Sequence, residues 1–452
     1  MKIKKKRFCM TLLSVVLTIL ISGCSSPGTP SDPNASTAES GGKPFENQSV
    51  SVLLEDTAWH RNIESTIGNF EEETGIKVSL EFMPEVQSRE KINLDLTSGT
   101  GLYDVFLTDE MYFQKFAKLG ALEPLDEYLD DSFDMDDFPA PAIETCTFDG
   151  KLYAIPWRAS PNVLYYRTDL LEKYDLKVPD TLDELYEEAV KARQALVADG
   201  QDDVYGIVSR GLKGEGLNMW MVGSSILPAF GAEWLDESGK PQVNSEEFVQ
   251  AVDYYAKLLQ DAGPPDAASQ NWDDCVRVFQ QGKAVFLLEG IVQGTILHEG
   301  GGEVADNFGT AVIPAGPNGT RHPGLYCPSY VMNTKAAYKG AAWEFIKFAT
   351  SYDQMLSDAV DGGNYEIARI SILDSEEFNE RYPYEQLNEV SKDTKQWARE
   401  ERPMIIAWPQ VGDIVGEVVQ SVITGDIDAK TGLDDAQNRI MEIYEAEPDT
   451  FQ

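Results

Sequence analysis

Positive charge is scarce in this chain. Its 452 residues hold 37 Lys and Arg against 76 Asp and Glu, a net charge of −39. Binding to nucleic acid needs cations that neutralise phosphates, so that class of partner is excluded. Long apolar runs are scarcer still. Only residues 8–21 form one, which excludes a polytopic membrane protein. Histidine is limited to His60, His298 and His322, and none stands in a setting that suggests a Ser-His-Asp triad. His298-Glu299 is followed by glycines, not by the second histidine of a zinc-protease helix. The G-x-x-x-x-G-K-[ST] phosphate loop, a G-x-G-x-x-G fingerprint after a strand and the G-x-S-x-G elbow are all missing. Five cysteines are widely spaced, with no C-x-x-C pair or Cys/His cluster, so neither a metal site nor a cofactor is expected. What remains is 42% apolar and 10% aromatic, the composition of a folded chain. Its length exceeds what one core usually covers, which points to two lobes.

The N-terminus is an exception to the acidity. Lys2, Lys4, Lys5, Lys6 and Arg7 precede the apolar run, and Ile21-Ser22-Gly23-Cys24 follows it. A basic segment, a short apolar segment and small residues before a cut describe a secretory signal over residues 1–23. The Ile-Ser-Gly-Cys ending resembles a bacterial lipobox, which implies lipidation of Cys24 and its exposure as the new N-terminus. Loss of the signal removes five cations and no acids, so the charge deepens to −44. Two acyl chains hold a protein stably on a membrane where one does not. Residues 24–47, rich in Ser, Pro and Gly after Cys24, read as a flexible tether. Cys146, Cys275 and Cys327 are left in the body, enough for one disulfide of undetermined pairing.

The body alternates between the two hydrophobic periods. Ser51–Leu54 is a short apolar run. Ile63, Ile67 and Phe70 recur at helical spacing, and Gly75 suits a left-handed helix end. Ile76, Val78, Leu80 and Phe82 then alternate with polar residues as a strand does. This predicts a right-handed β-α-β unit with parallel strands. Tyr103–Leu107, Ala284–Leu288 and Thr310–Ile313 read as further strands. Thr181-Leu182-Asp183-Glu184 reads as a capping box, and Ser245 and Ala341 open further helices. The alternation predicts an α/β protein with mostly parallel sheets.

Open α/β sheets bind ligands outside the carboxyl ends of their strands. That rule selects Glu55, Asp56, Trp59 and His60 after the first strand, Thr108, Asp109 and Glu110 after the third, and Glu289 after Ala284–Leu288. These loops mix carboxylates with aromatics. No pair of carboxylates stands out as a glycosidase pair, although so acidic a chain leaves that reading open. The acids of 126–137 lack the register of a calcium loop and read as a solvated surface.

Four stretches, in order, resemble the extracellular solute-binding proteins of ABC importers, family 1, the family of maltose-binding protein. They are Phe70-Glu71-Glu72-Glu73-Thr74-Gly75-Ile76-Lys77-Val78; Gly150–Pro156 leading to Leu164–Leu171 and then Pro179-Asp180-Thr181-Leu182-Asp183-Glu184-Leu185; Ala342-Trp343-Glu344-Phe345-Ile346-Lys347-Phe348; and Gly425 followed by Leu433–Gln437. Arg167 departs from the family's Asn. The resemblance implies a two-lobed periplasmic-binding-protein fold (Venus-flytrap, type II) with three hinge crossings, near Ile155–Ala159, Val312–Ala315 and Asn364–Ile370. The lobes implied are residues 48–155 with 316–365, and 156–315 with 366–452.

The resemblance also implies a function: capture of a carbohydrate between the lobes, with no chemistry, and delivery to a membrane permease. The protein would be a monomer, lipid-anchored outside the cytoplasm. Position in the family pattern nominates Trp59, His60, Asp109, Glu110, Trp157, Arg158, Asn218, Trp220, Glu289, Gln293, Tyr326, Trp408 and Gln410 as ligand contacts. Carboxylates, amides and Arg match sugar hydroxyls, and Trp and Tyr match the apolar C–H face. Each has a plainer alternative: Trp220 as core, Trp59 as a helix staple, Asp109 as a helix cap, Arg158 as a partner for one of the many acids. The rival functions are a secreted glycoside hydrolase, a binder of a polyol or other small solute, and a surface adhesin. The negative field disfavours anionic ligands at long range, so neutral sugars fit best.

Overall fold

The computed structural model describes residues 43–130, 132–214 and 216–451. The signal segment, Cys24 and residues 25–42 of the expected tether lie outside the described residues. Residues 43–47, expected as the end of that tether, already belong to the folded body. Phe45 N donates to Thr74 O (3.0 Å) and its ring packs against the core. The contact explains Gly75 twice over. Its φ is +83°, and a Cβ there would press on Lys43 and Glu46.

Twelve strands occur among the described residues. They are β1 (Ser49–Glu55), β2 (Lys77–Met83), β3 (Val105–Thr108), β4 (Thr147–Phe148), β5 (Lys151–Leu152), β6 (Ala154–Pro156), β7 (Ser160–Arg167), β8 (Tyr205–Val208), β9 (Ala284–Gly290), β10 (Phe308–Val312), β11 (Leu325–Tyr326) and β12 (Ser329–Met332). One five-stranded sheet has the order β2-β1-β3-β12-β6, and a second has β10-β7-β9-β8 with β11 also on β7. The β1-helix-β2 unit pairs in parallel, Ser49 opposite Lys77 through Glu55 opposite Met83.

The expectation of mostly parallel sheets needs correction. β12 runs antiparallel to both β3 and β6, and β7 runs antiparallel to β9, β10 and β11. The reason lies in the connections. β7 enters the second sheet from the first, and β12 enters the first sheet from the second. Neither is the product of a local β-α-β crossover, which is what enforces a parallel neighbour. β9 is buried along its whole length, as a central strand covered on both faces should be. Along β7, Val163 and Tyr165 join one apolar cluster and Leu164 the other, so successive side chains serve opposite faces.

Three stretches join the two sheets. Residues 157–159 link β6 to β7, and residues 364–370 follow the helix Tyr352–Val360. The second crossing is displaced from the expected Val312–Ala315. β10 and β11 both pair with β7, so the chain stays with the second sheet until Tyr326 and changes sheet at 327–328. The Pro- and Gly-rich run 314–324 imitates a hinge in sequence, but it serves to return the chain to the start of β7. The crossings are bonded to each other. Trp157 N and Arg158 N donate to Pro328 O (3.1 and 3.3 Å), Ala159 N to Glu366 O (2.8 Å) and Ala368 N to Trp157 O (3.2 Å).

Candidate functional site

The carboxyl ends of β1 and β3 both point toward the crossings. Asp109 is the backbone N-cap of the helix Glu110–Lys118, yet its carboxylate makes no cap bond. It accepts instead from Tyr326 Oη (3.0 Å) and pairs with Arg89, on the helix Glu85–Ser98 after β2. Glu110 is buried and accepts from Cys327 N (3.0 Å) and Arg402 Nη2 (3.1 Å). Burial lifts the Glu110 carboxyl well above the usual range, Glu400 pushes the same way and Arg402 opposes. Arg402 also pairs with Glu400 (2.6 Å), so two acids share one guanidinium.

Arg158, in the first crossing, pairs with Glu366, in the third. Its guanidinium lies over the rings of Trp59 (5.3 Å) and Tyr326 (5.5 Å). Arg402 lies likewise over Trp220 (5.1 Å) and Trp408 (5.8 Å). Between the lobes a cavity of about 290 Å³ is lined by Glu55, Arg89, Asp109 and Lys115 on one side and Ile406 and Pro409 on the other. Trp59 Nε1 and Arg158 Nε are buried beside this cluster without a partner among the described residues.

Of the nominated residues, Trp59, Asp109, Glu110, Arg158, Trp220 and Tyr326 are linked by these contacts. His60 and Trp157 lie beneath them. Trp157 is buried, stacks on His60 (4.3 Å) and donates Nε1–H to Asp358 (3.1 Å). Burial, then Arg158, holds the His60 imidazole well below its usual pKa. Trp408 is fully buried, edge-on to Trp234 at 5.0 Å, and reaches the cluster only through Arg402. The rest stand apart. Asn218 is interior and donates to Gly416 O (2.9 Å), tying two helices together. Glu289 is held by Arg210 in a buried pair. Gln293 is buried at the start of the helix Gln293–Glu299, its Oε1 unpartnered among the described residues. Gln410 is exposed.

Sequence reasoning missed Arg89, Glu366, Glu400 and Arg402. Arg89 could have been found, since its helix follows the carboxyl end of β2 and the same sheet rule applies there. The other three lie on irregular chain, where no period marks a side chain's direction. No group of three or more His, Cys, Asp and Glu side chains able to hold a metal occurs among the described residues.

The family model for bacterial extracellular solute-binding protein matches residues 52–356. The mannitol-binding protein of Pseudomonas aeruginosa is 30% identical over 276 residues, 60% of this chain and 62% of that protein. An ABC transporter solute-binding protein of Agrobacterium vitis, solved with bound D-mannitol, is 26% identical, with a TM-score of 0.72 over 88% of this chain and 99% of that one. Maltose-bound MalE3 of Thermotoga maritima is also 26% identical, with a TM-score of 0.73 over 87% and 99%.

Proposed function

Because the chain belongs to the bacterial extracellular solute-binding protein family, we propose that it captures a carbohydrate or polyol between its lobes and delivers it to the permease of an ABC importer. The observation that carries this reading is a set of linked ion pairs: Arg89–Asp109 lines a cavity that Ile406 and Pro409 close from the other side, Arg158–Glu366 joins the first and third crossings, and Arg402–Glu110 adjoins the second. Arg402–Glu110 spans from the helix after β3 to the chain that packs on the second sheet. Such contacts form when the lobes meet and part when they open. In this reading Trp59, Asp109, Glu110, Arg158, Trp220 and Tyr326 face the solute, and His60 and Trp157 hold the hinge beneath it. No bond is made or broken.

The N-terminal pattern supports export, lipidation at Cys24 and a tether outside the cytoplasm. The mannitol-binding and maltose-bound relatives support a polyhydroxylated solute. Thermal unfolding of residues 43–452 against sugars and polyols, with amino acids as controls, tests the proposal. A true solute at 100 times its Kd should add about 2.7 kcal/mol of stability, contract the particle in small-angle scattering and be recovered unchanged. Turnover of the solute, or a hit among the amino acids alone, would sink it.

A further inference from the structure

We propose that Cys146 and Cys327 are oxidised to a disulfide as the chain folds outside the cytoplasm, and that this bond staples the neck of the second lobe. Cys146, Cys275 and Cys327 are all buried thiols in this structure. Their neighbours separate them. Cys275 lies on the helix Trp272–Gln280, where its thiol meets Gln270 Oε1 at 3.9 Å. The other two meet at one residue. Ser329 Oγ stands 3.1 Å from Cys146 Sγ and 3.7 Å from Cys327 Sγ. Its own proton goes to Cys327 O, at 2.9 Å. The hydroxyl oxygen is left as an acceptor, and both thiols turn their S–H toward it. One oxygen is thus the common neighbour of both sulfurs.

The Cys146 thiol beside it, then burial, pushes the Cys327 thiol well above its ordinary pKa. A thiol that stays protonated is a poor nucleophile, so oxidation belongs to the folding chain, before the pair is covered. The inference rests on the export reading for its compartment, because disulfides persist outside the cytoplasm. Its pairing rests on geometry alone. The oxidant is another disulfide, carried by a small molecule or an oxidoreductase. One cysteine thiolate attacks it and releases a thiol, and the second cysteine displaces the other half. The pair gives up two electrons and two protons, an S–S bond forms between Cys146 and Cys327, and the oxidant leaves as two thiols. Cys146 ends the helix Ala140–Thr145, before the chain enters the second lobe, and Cys327 stands where it leaves. The bond closes a loop of residues 147–326, which holds β7 to β11 and so the whole second sheet. A long closed loop removes much freedom from the unfolded chain.

Residues 24–452 carrying Cys24→Ser keep only the thiols of the body. This protein would be unfolded with reductant, refolded in glutathione with the disulfide form in excess, and alkylated in denaturant. We expect Cys275 alone to be alkylated and mass spectrometry to recover a peptide linking Cys146 to Cys327. The thermal midpoint should lie about 5 °C above that of the reduced protein. Cys275→Ala should keep the link and the shift, and Cys146→Ala should lose both. Three alkylated thiols, a link through Cys275 or a mixed disulfide with glutathione alone overturns the pairing. A link between Cys146 and Cys327 that leaves the midpoint unchanged overturns the staple. Solute capture is read separately, from the solute screen, so either proposal can fail without the other.

Discussion

Lys395 is fully buried at the end of the helix Glu385–Lys395, its ammonium donating to Ile367 O (2.8 Å) in the third crossing. Burial, helped by Arg158, pulls its pKa from 10.5 down to about 7. Between those values the unfolded chain holds a proton that the folded chain has released, so stability contributed here rises with pH from about 7 to 10.5 and is lowest below 7. Lys395→Met should flatten that rise. The difference in unfolding free energy between wild type and variant should change by about 4 kcal/mol across the window, read from urea titrations at pH 7 and pH 10. Equal slopes in the two proteins would show that this amine is not buried as described. Asp358 titrates with the opposite sign. Burial raises it to about 6, against the pull of Asn62, Trp157 and Gln354, so its contribution falls as pH climbs from 3.8 to 6. Side-chain direction is what the sequence conceals at this scale. Trp157 and Trp408 stand beside prolines, a context that reads as a cleft, yet both rank among the largest fully buried side chains. A crossing has no period from which to judge which way a ring turns. The place of Asp109 was more legible, because a strand end fixes where the residue lies; it is buried and lines the cavity.

At the scale of elements, local chemistry was readable and direction was not. Glu184 N donates to Thr181 Oγ1 (3.2 Å), as the Thr-x-x-Glu spacing predicts, although the Glu184 carboxylate reaches Asp180 N (2.8 Å), one residue short of a full capping box. Ser245 and Gly75 likewise act as the ends they were read to be. The short apolar runs of β7 and β12 carried no sign of strand direction, which is set by chain arriving from the other sheet. Close packing between elements is a second property hidden from a single sequence. Gly206 in β8 lies against the helix Leu182–Ala198, where a Cβ would collide with the carbonyl of Ala189. Gly206→Ala should therefore cost about 2–3 kcal/mol, seen as a lower urea midpoint with solute affinity unchanged once folded. An unaltered midpoint would mean that strand and helix can move apart freely.

Across the whole molecule, two lobes and three crossings follow from the family pattern, whereas the second crossing was misplaced because Pro and Gly mark a turn without saying which sheet it serves. The acid surplus of the sequence makes a further prediction. A field set by a net charge of −39 steers ions but not neutral solutes, and its reach at physiological salt is roughly 8 Å. Association of the solute should therefore vary by less than about twofold between 50 and 500 mM NaCl, measured by stopped-flow tryptophan fluorescence. A steep salt dependence would mean that the solute is charged.

The bonds among the crossings have a mechanical consequence. Residues 157–159 lie between the other two crossings and are fastened to both, to Pro328 on one side and to Glu366 and Ala368 on the other. Three cords stitched side by side make a crease, like the spine of a book. A crease bends along one line but resists sliding and twisting. In the closure proposed above, the same page therefore faces the same page each time, and Arg402 arrives opposite Glu110 without a search over other alignments. The protein thus spends little conformational freedom on shutting, which leaves more of the solute's binding energy to hold the solute itself.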